Sequence, residues 1–162
     1  MLHALPRPPA QSRARAFRPD VTVAAVVPRA DGCFLLIEER VRGRLVVNQP
    51  AGHLEPGETL LQAAVRETLE EAAWDIEPEA FLGTYQWTAP DGAHFLRFAF
   101  LARAARQHAG RALDRGIVRT LWLRPDELRA RQGELRSPLV LRAVDDCIAG
   151  VRLPLDAVRW VE

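Results

Sequence analysis

The sequence predicts an α/β fold, and three observations carry that expectation. Short apolar runs of strand length alternate along the chain with segments of helical period. Turn clusters punctuate the runs, as at Ala30-Asp31-Gly32 and Ala89-Pro90-Asp91-Gly92. Residues 52–74, GHLEPGETLLQAAVRETLEEAAW, open on a glycine-bracketed turn and continue as one amphipathic helix. With 162 residues and 48% hydrophobic content the chain can bury the core of one domain, and it shows no internal repeat.

Taken in order, the first strand is expected over 21–27 and ends at Pro28, which cannot donate to a ladder. A second apolar run covers 33–37 after the Gly32 turn, and a short strand over 44–48 feeds the Gly52 loop. The helix that follows has a defined start. Pro56-Gly57 make a turn, and Thr59 with Gln62 form a T-x-x-Q capping box for the first amide donors. Strands over 81–87 and 95–103 read as a hairpin closed at 89–92, and 117–123 is a further strand. Pro125 opens a helix to about residue 131, with proline near its first turn. A last helix runs from Ser137-Pro138, with Ser137 as its cap, to about 149, where Gly150 terminates it. Mixed strands between a helix on each side give an α/β/α sandwich. Residues 1–17 form an Arg/Pro-rich arm without acidic residues, expected to be disordered; 18–150 form the domain and 151–162 a C-terminal tail.

Function is read from the 52–74 helix. Glu67, Glu70 and Glu71 stand at i, i+3 and i+4, so they share a face. Like charges at that spacing weaken a helix by roughly 0.2–0.5 kcal/mol per pair unless a positive group lies among them. A hard divalent cation is the obvious candidate, because carboxylate oxygens suit Mg2+. Leu61, Val65, Thr68, Leu69 and Ala72 fall in one sector roughly 100° wide, about 150° from the acidic one. One side therefore seats on a core while the glutamates are held on another.

The spacing G-x5-E-x7-R-E-x2-E-E, met by Gly52, Glu58, Arg66, Glu67, Glu70 and Glu71, resembles the Nudix box. Thr68 replaces the family's usual hydrophobic residue, and Ala73 replaces its closing glycine. If position 73 is left-handed, alanine costs on the order of 1 kcal/mol there; otherwise the helix runs on a residue or two. The segments NQPAGHLE (48–55), YQWTAPDG (85–92), FLRFAF (95–100) and LRSPLV (135–140) resemble a bacterial phosphatase subgroup of the family, over roughly 17–155. That resemblance implies the Nudix fold, an α/β/α sandwich with a mixed sheet. It also implies an Mg2+-dependent hydrolase, Mn2+ being a substitute. Such enzymes remove orthophosphate from nucleoside di- and triphosphates and from thiamine- or hydroxymethylpyrimidine-type diphosphates. The alternatives are a pyrophosphohydrolase of dinucleotides or sugar nucleotides, and a nucleotide-sensing module without activity.

The implied metal ligands are Glu67, Glu70, Glu71 and the Gly52 carbonyl. Arg66 is expected to organise the site by gripping Glu58 with its planar fork. Glu67 is the nominated general base, with Asp114 as the acid of a distant loop that competes for the role. For substrate, Arg44, Gln49, Trp87 and Arg97 are the candidates, Trp87 by stacking and Arg97 by phosphate binding. His53 has no partner histidine at a ligand spacing, and Trp122 and Trp160 read as packing residues. Net charge is +1, so no global basic field marks a nucleic-acid binder. No apolar run approaches the ~18 residues of a membrane span. Cys33 and Cys147 read as buried thiols in a reducing cytoplasm. A small phosphoanhydride substrate and a monomer or weak dimer complete the expectation.

Overall fold

A computed structural model describes residues 17–161, so the arm expected over 1–17 lies, except for Phe17, outside the described residues. The order is β1 (Asp20–Val26), β2 (Phe34–Val41), β3 (Arg44–Asn48), β4 (Ala51–His53), α1 (Leu60–Ala72), β5 (Trp74–Thr88), β6 (His94–Gln107), β7 (Ile117–Leu123), α2 (Pro125–Ala130) and α3 (Leu139–Ile148). Short 3-10 turns lie at Gln132–Glu134 and Leu155–Ala157. A mixed sheet runs β4-β1-β6-β5, with β1 parallel to β6 and the other pairs antiparallel. A second, antiparallel sheet runs β3-β2-β7.

The continuous apolar runs are strands covered on both faces. Val23 and Ala25 of β1, and Val27 just past its end, pack with Ala63, Ala64 and Ala72 of α1, while Val26 packs with Val140 and Val144 of α3. β2 divides the same way: Leu35 and Ile37 turn to one side, Phe34 and Leu36 to the other. On β6, Phe100 and Ala102 face α1 whereas Ala99 and Leu101 face α3. Each such large side chain contributes roughly 1.5–3 kcal/mol by full burial.

Several boundaries differ from the sequence expectation for physical reasons. β2 runs on through Glu38-Glu39-Arg40, because Glu38 is held at 2.9 Å by both Arg119 and Arg131. β5 and β6 are longer than the apolar pattern implied. Their extra arms are charged and pair with each other, Asp75 opposite Arg106 and Glu77 opposite Arg103. β4, taken from sequence as loop, is a short strand on the edge of the mixed sheet. Ser137 is not a helix cap: Pro138 is the N-cap of α3, and the Ser137 Oγ makes no such bond. Gly150 (φ 82°) does stand just beyond the end of α3. The C-terminal segment packs on the domain, since Leu153 exchanges two 2.9 Å backbone bonds with Phe81, and Leu155 and Val158 join the core beside α1. Trp122 does pack, edge-on to Trp74 at 5.8 Å, but Trp160 is exposed.

Candidate active site

α1 is fixed at both ends. Thr59 and Gln62 form the expected reciprocal capping box, at 3.2 and 2.8 Å. At the other end Ala73 takes the left-handed conformation (φ 56°, ψ 36°), so the chain turns there into β5. The buried face of α1 keeps Thr68 and Ala72 of the expected sector but is rotated from it. Ala63, Ala64, Glu67, Thr68 and Ala72 are buried, and Leu61 and Val65 lie at the margin. The small alanines let α1 approach the sheet closely, and β4 covers the side that carries Glu67.

Arg66 ties the loop to the helix. Its Nε and Nη2 donate to the two oxygens of Glu58 at 3.0 and 2.7 Å, a bidentate fork. Nη1 donates to Glu67 at 2.8 Å and Glu70 at 3.0 Å, and Nη2 also reaches the His53 carbonyl at 3.1 Å. Glu58 in turn accepts from the Glu55 amide at 2.7 Å. The Arg66 guanidinium holds the Glu58 carboxyl below the usual carboxylate range.

Gly52 is where β4 meets that helix. A Cβ built there would lie 2.0 Å from the Glu67 Oε1, so only glycine permits the backbone to press against this carboxylate. Glu71 Oε2 accepts from the Ala51 amide at 2.8 Å, which aims it at the same place. Burial pushes the Glu71 carboxyl up to about 8, and the charges of Glu67, Glu39 and Asp114 add to the rise. Glu67 is raised as well, chiefly by burial, against the opposing pull of Arg66.

A cleft of about 390 Å³ brings Gly52, Glu67 and Glu71 together with Trp87 and Arg97. Arg97 is 7% exposed, and its Nη1 finds no hydrogen-bond partner among the described residues; Nε reaches only Thr22, at 3.4 Å. Burial, aided by Arg136, lowers its pKa to about 10 while Glu71 and Glu39 oppose the change. Trp87 lies stacked on Phe95, with centroids 5.5 Å apart and 25° between the rings.

Not every candidate reaches this cleft. Gln49 is 1% exposed and donates to the Val140 carbonyl at 2.8 Å, so it ties the loop to α3 and does not line the cavity. Arg44 lines a neighbouring cavity instead. Glu70 is held by Arg66 and does not line the cleft. Asp114 is brought to the end of α1, its amide donating to the Glu70 carbonyl at 3.0 Å. Sequence reading missed Glu39, Asn48 and Thr22 as lining residues and discounted Ser137. For Glu39 a signal existed: two residues past Ile37, it had to share that residue's face of β2.

Among the described residues no three acidic, His or Cys side chains are already arranged around one metal position. The donor set nonetheless fits a hard cation. Three carboxylates, Glu58, Glu67 and Glu70, surround the Arg66 guanidinium, Glu71 lines the same cleft as Glu67, and the Gly52 backbone is pressed against Glu67.

A profile described as the NUDIX domain matches residues 18–143. The phosphatase NudJ of Shigella boydii serotype 4 (strain Sb227) and that of Escherichia coli (strain K12) are each 41% identical over 142 residues, covering 88% of this chain and 92% of the relative. A NUDIX hydrolase structure from Nitrosomonas europaea matches with TM-score 0.86 at 46% identity, covering 89% of this chain and 98% of that one. A UDP-X diphosphatase shares the fold alone, with TM-score 0.69 at 15% identity over 86% of this chain and 68% of its own. The chain therefore belongs to the Nudix family of hydrolases, enzymes that act on phosphoanhydride bonds.

Proposed function

We propose that this chain is an Mg2+-dependent hydrolase releasing orthophosphate from nucleoside di- and triphosphates and from thiamine- or hydroxymethylpyrimidine-type diphosphates. One observation carries the reading: a single cleft sets the buried, incompletely paired Arg97 against the carboxylates of Glu67 and Glu71. Neither wall is electrically satisfied alone. A divalent cation beside the carboxylates and a polyphosphate reaching to Arg97 balance both. The name phosphatase borne by the NudJ relatives supports orthophosphate as the product.

Glu67, Glu71 and the Gly52 carbonyl, joined by Glu70, are the residues that would hold Mg2+, with Mn2+ as a substitute. The ion supplies charge neutralisation for the phosphates and acidifies a water. Arg97 binds a phosphate oxygen, and Trp87 offers a ring face for the rest of the substrate. Arg66 and Glu58 keep the loop against α1 so that the donors stay in place. As the water oxygen bonds to phosphorus and the bridging P–O bond breaks, Glu67 takes the water's proton, with Asp114 the competing acceptor. Both cysteines are buried and free, which fits the reducing cytoplasm.

The test is phosphate release from a panel of diphosphates and triphosphates, with Mg2+ and with chelator. Metal-dependent orthophosphate from nucleoside and thiamine-type diphosphates is the expected result, and a silent panel overturns it. A second reading, pyrophosphohydrolase action on dinucleotides or sugar nucleotides, draws on the room in the neighbouring cavity of about 610 Å³. Pairs of monophosphates as products would favour it.

A further inference from the structure

We infer that this neighbouring cavity is the specificity lobe of the site, and that it ranks substrates by charge: it favours a substrate whose ring is neutral or bears further anionic groups over one with a cationic ring, which it turns over less efficiently. The inference rests on the hydrolase reading above. The two cavities share Trp87, Arg136 and Ser137, so a diphosphate held in the inner cleft directs the remainder of its molecule across these residues. The junction is built for a polar ligand. Ser137 is 6% exposed, and its Oγ has no hydrogen-bond partner among the described residues. Its neighbour Arg136 is anchored through its amide to the Val47 carbonyl at 2.9 Å.

Beyond the junction the charge is one-sided. Arg42, Arg44 and Arg136 line the outer lobe, and Asp91 is the one acid among its lining residues, giving three positive charges against one negative. Asp91 is already engaged by Arg42 at 3.3 Å. The other acid near Arg136 is Glu39, 3.5 Å away on the inner side. A ring of either charge stacks on Trp87, and a cation gains some attraction to its face. That ring offers one face, whereas a fixed cation in the lobe meets Arg44, Arg136 and the Arg42–Asp91 pair, a net positive field that water and salt screen only in part. Charge therefore decides between substrates of similar size.

The experiment compares kcat/KM for three substrates that release the same orthophosphate: a nucleoside diphosphate, hydroxymethylpyrimidine diphosphate and thiamine diphosphate, whose thiazolium is cationic. Wild-type protein, Arg44→Gln and Arg44→Glu are each measured at low and high ionic strength. Arg44 is exposed, so both variants are accommodated without repacking. Wild type is expected to disfavour thiamine diphosphate by at least about tenfold at low salt, and Arg44→Glu to narrow that ratio by about tenfold, Arg44→Gln by about threefold. High salt should narrow it in wild type too. If all three substrates turn over but the ratio is flat across variants and salt, the inference fails and the hydrolase reading stands. If wild type hydrolyses none, the hydrolase reading fails and carries this inference with it.

Discussion

Glu38 on β2 and Glu71 on α1 are both taken from water near arginines, yet their surroundings are opposite in kind. Glu38 is 4% exposed and accepts from Arg119 and Arg131, each at 2.9 Å, which hold its carboxyl below the usual range. Glu71 has one donor among the described residues, the Ala51 amide, and three acids raise it beyond what burial alone does. The first cluster is balanced within the chain and serves to join β2, β7 and the end of α2. The second is unbalanced, and a folded chain holds such a surplus at a site that an outside charge completes.

The largest expected effect breaks this contrast in activity. Glu71→Gln, which keeps the acceptor for the Ala51 amide, should cut turnover at least ~10²-fold without unfolding the protein. Glu70→Gln should do the same. Glu38→Gln should leave kcat/KM within about threefold. Steady-state phosphate release with circular dichroism on the same samples checks all three. Near-normal turnover by both α1 variants would remove them from the metal set.

The next effect is on stability and carries a sign. Glu71 titrates higher in the folded, metal-free protein, at about 8, than the ordinary 4.5 of an unfolded chain. Between these values the folded state binds the extra proton, so its contribution is full below about pH 4.5 and is lost as pH rises through about 8. Metal-free protein should lose about 2 kcal/mol over that window, allowing for relaxation of a partly buried site. Mg2+ should restore most of the loss at pH 8, and Glu71→Gln should flatten the slope. Thermal melts from pH 5 to 8, with chelator and with Mg2+, measure this; a melting temperature that rises with pH in chelator contradicts it.

Glu38→Gln is the converse. Removing one carboxylate from two arginines that still reach water should cost about 1–3 kcal/mol in denaturant melts. No metal dependence should accompany it. A cost equal to that of Glu71→Gln in chelator would mean the two clusters are not different in kind.

How far this contrast was legible depends on chain distance. The box helix, its capping box and the Arg66–Glu58 fork were readable because their parts lie within nine residues of one another, inside the reach of helical periodicity. The Glu38 cluster was not, since its arginines are 81 and 93 residues away. Gln49 and Ser137 failed for the same reason: a polar residue beside a motif looks like a site residue or a cap until the packing of α3 decides. Gln49 went into the core, while Ser137 came to the cleft. Arg97 could be named as a candidate from its segment, but only the parallel pairing of β6 with β1 puts it in register with Thr22 and inside the cleft.

The smallest effect concerns backbone strain, and it falls on the same side of the comparison. Among the described residues the non-glycine positions with positive φ are Arg42 (49°) and Ala73 (56°), one lining the outer lobe and the other at the end of α1. Ala73 donates to the Leu69 carbonyl and accepts from the His108 amide at 2.8 Å, so the surroundings hold it in the left-handed region despite its Cβ. Glycine there loses more freedom on folding but escapes that clash, and at a left-handed helix terminus the clash outweighs the lost freedom. Ala73→Gly should therefore stabilise the protein by up to about 1 kcal/mol, a rise in Tm of about 2–4 °C for a domain of this size. Turnover should stay within about twofold if the strain is only a cost of the turn. A fall in turnover alongside the higher Tm would show that Ala73 helps to set the pitch at which Glu67 and Glu71 face the cleft.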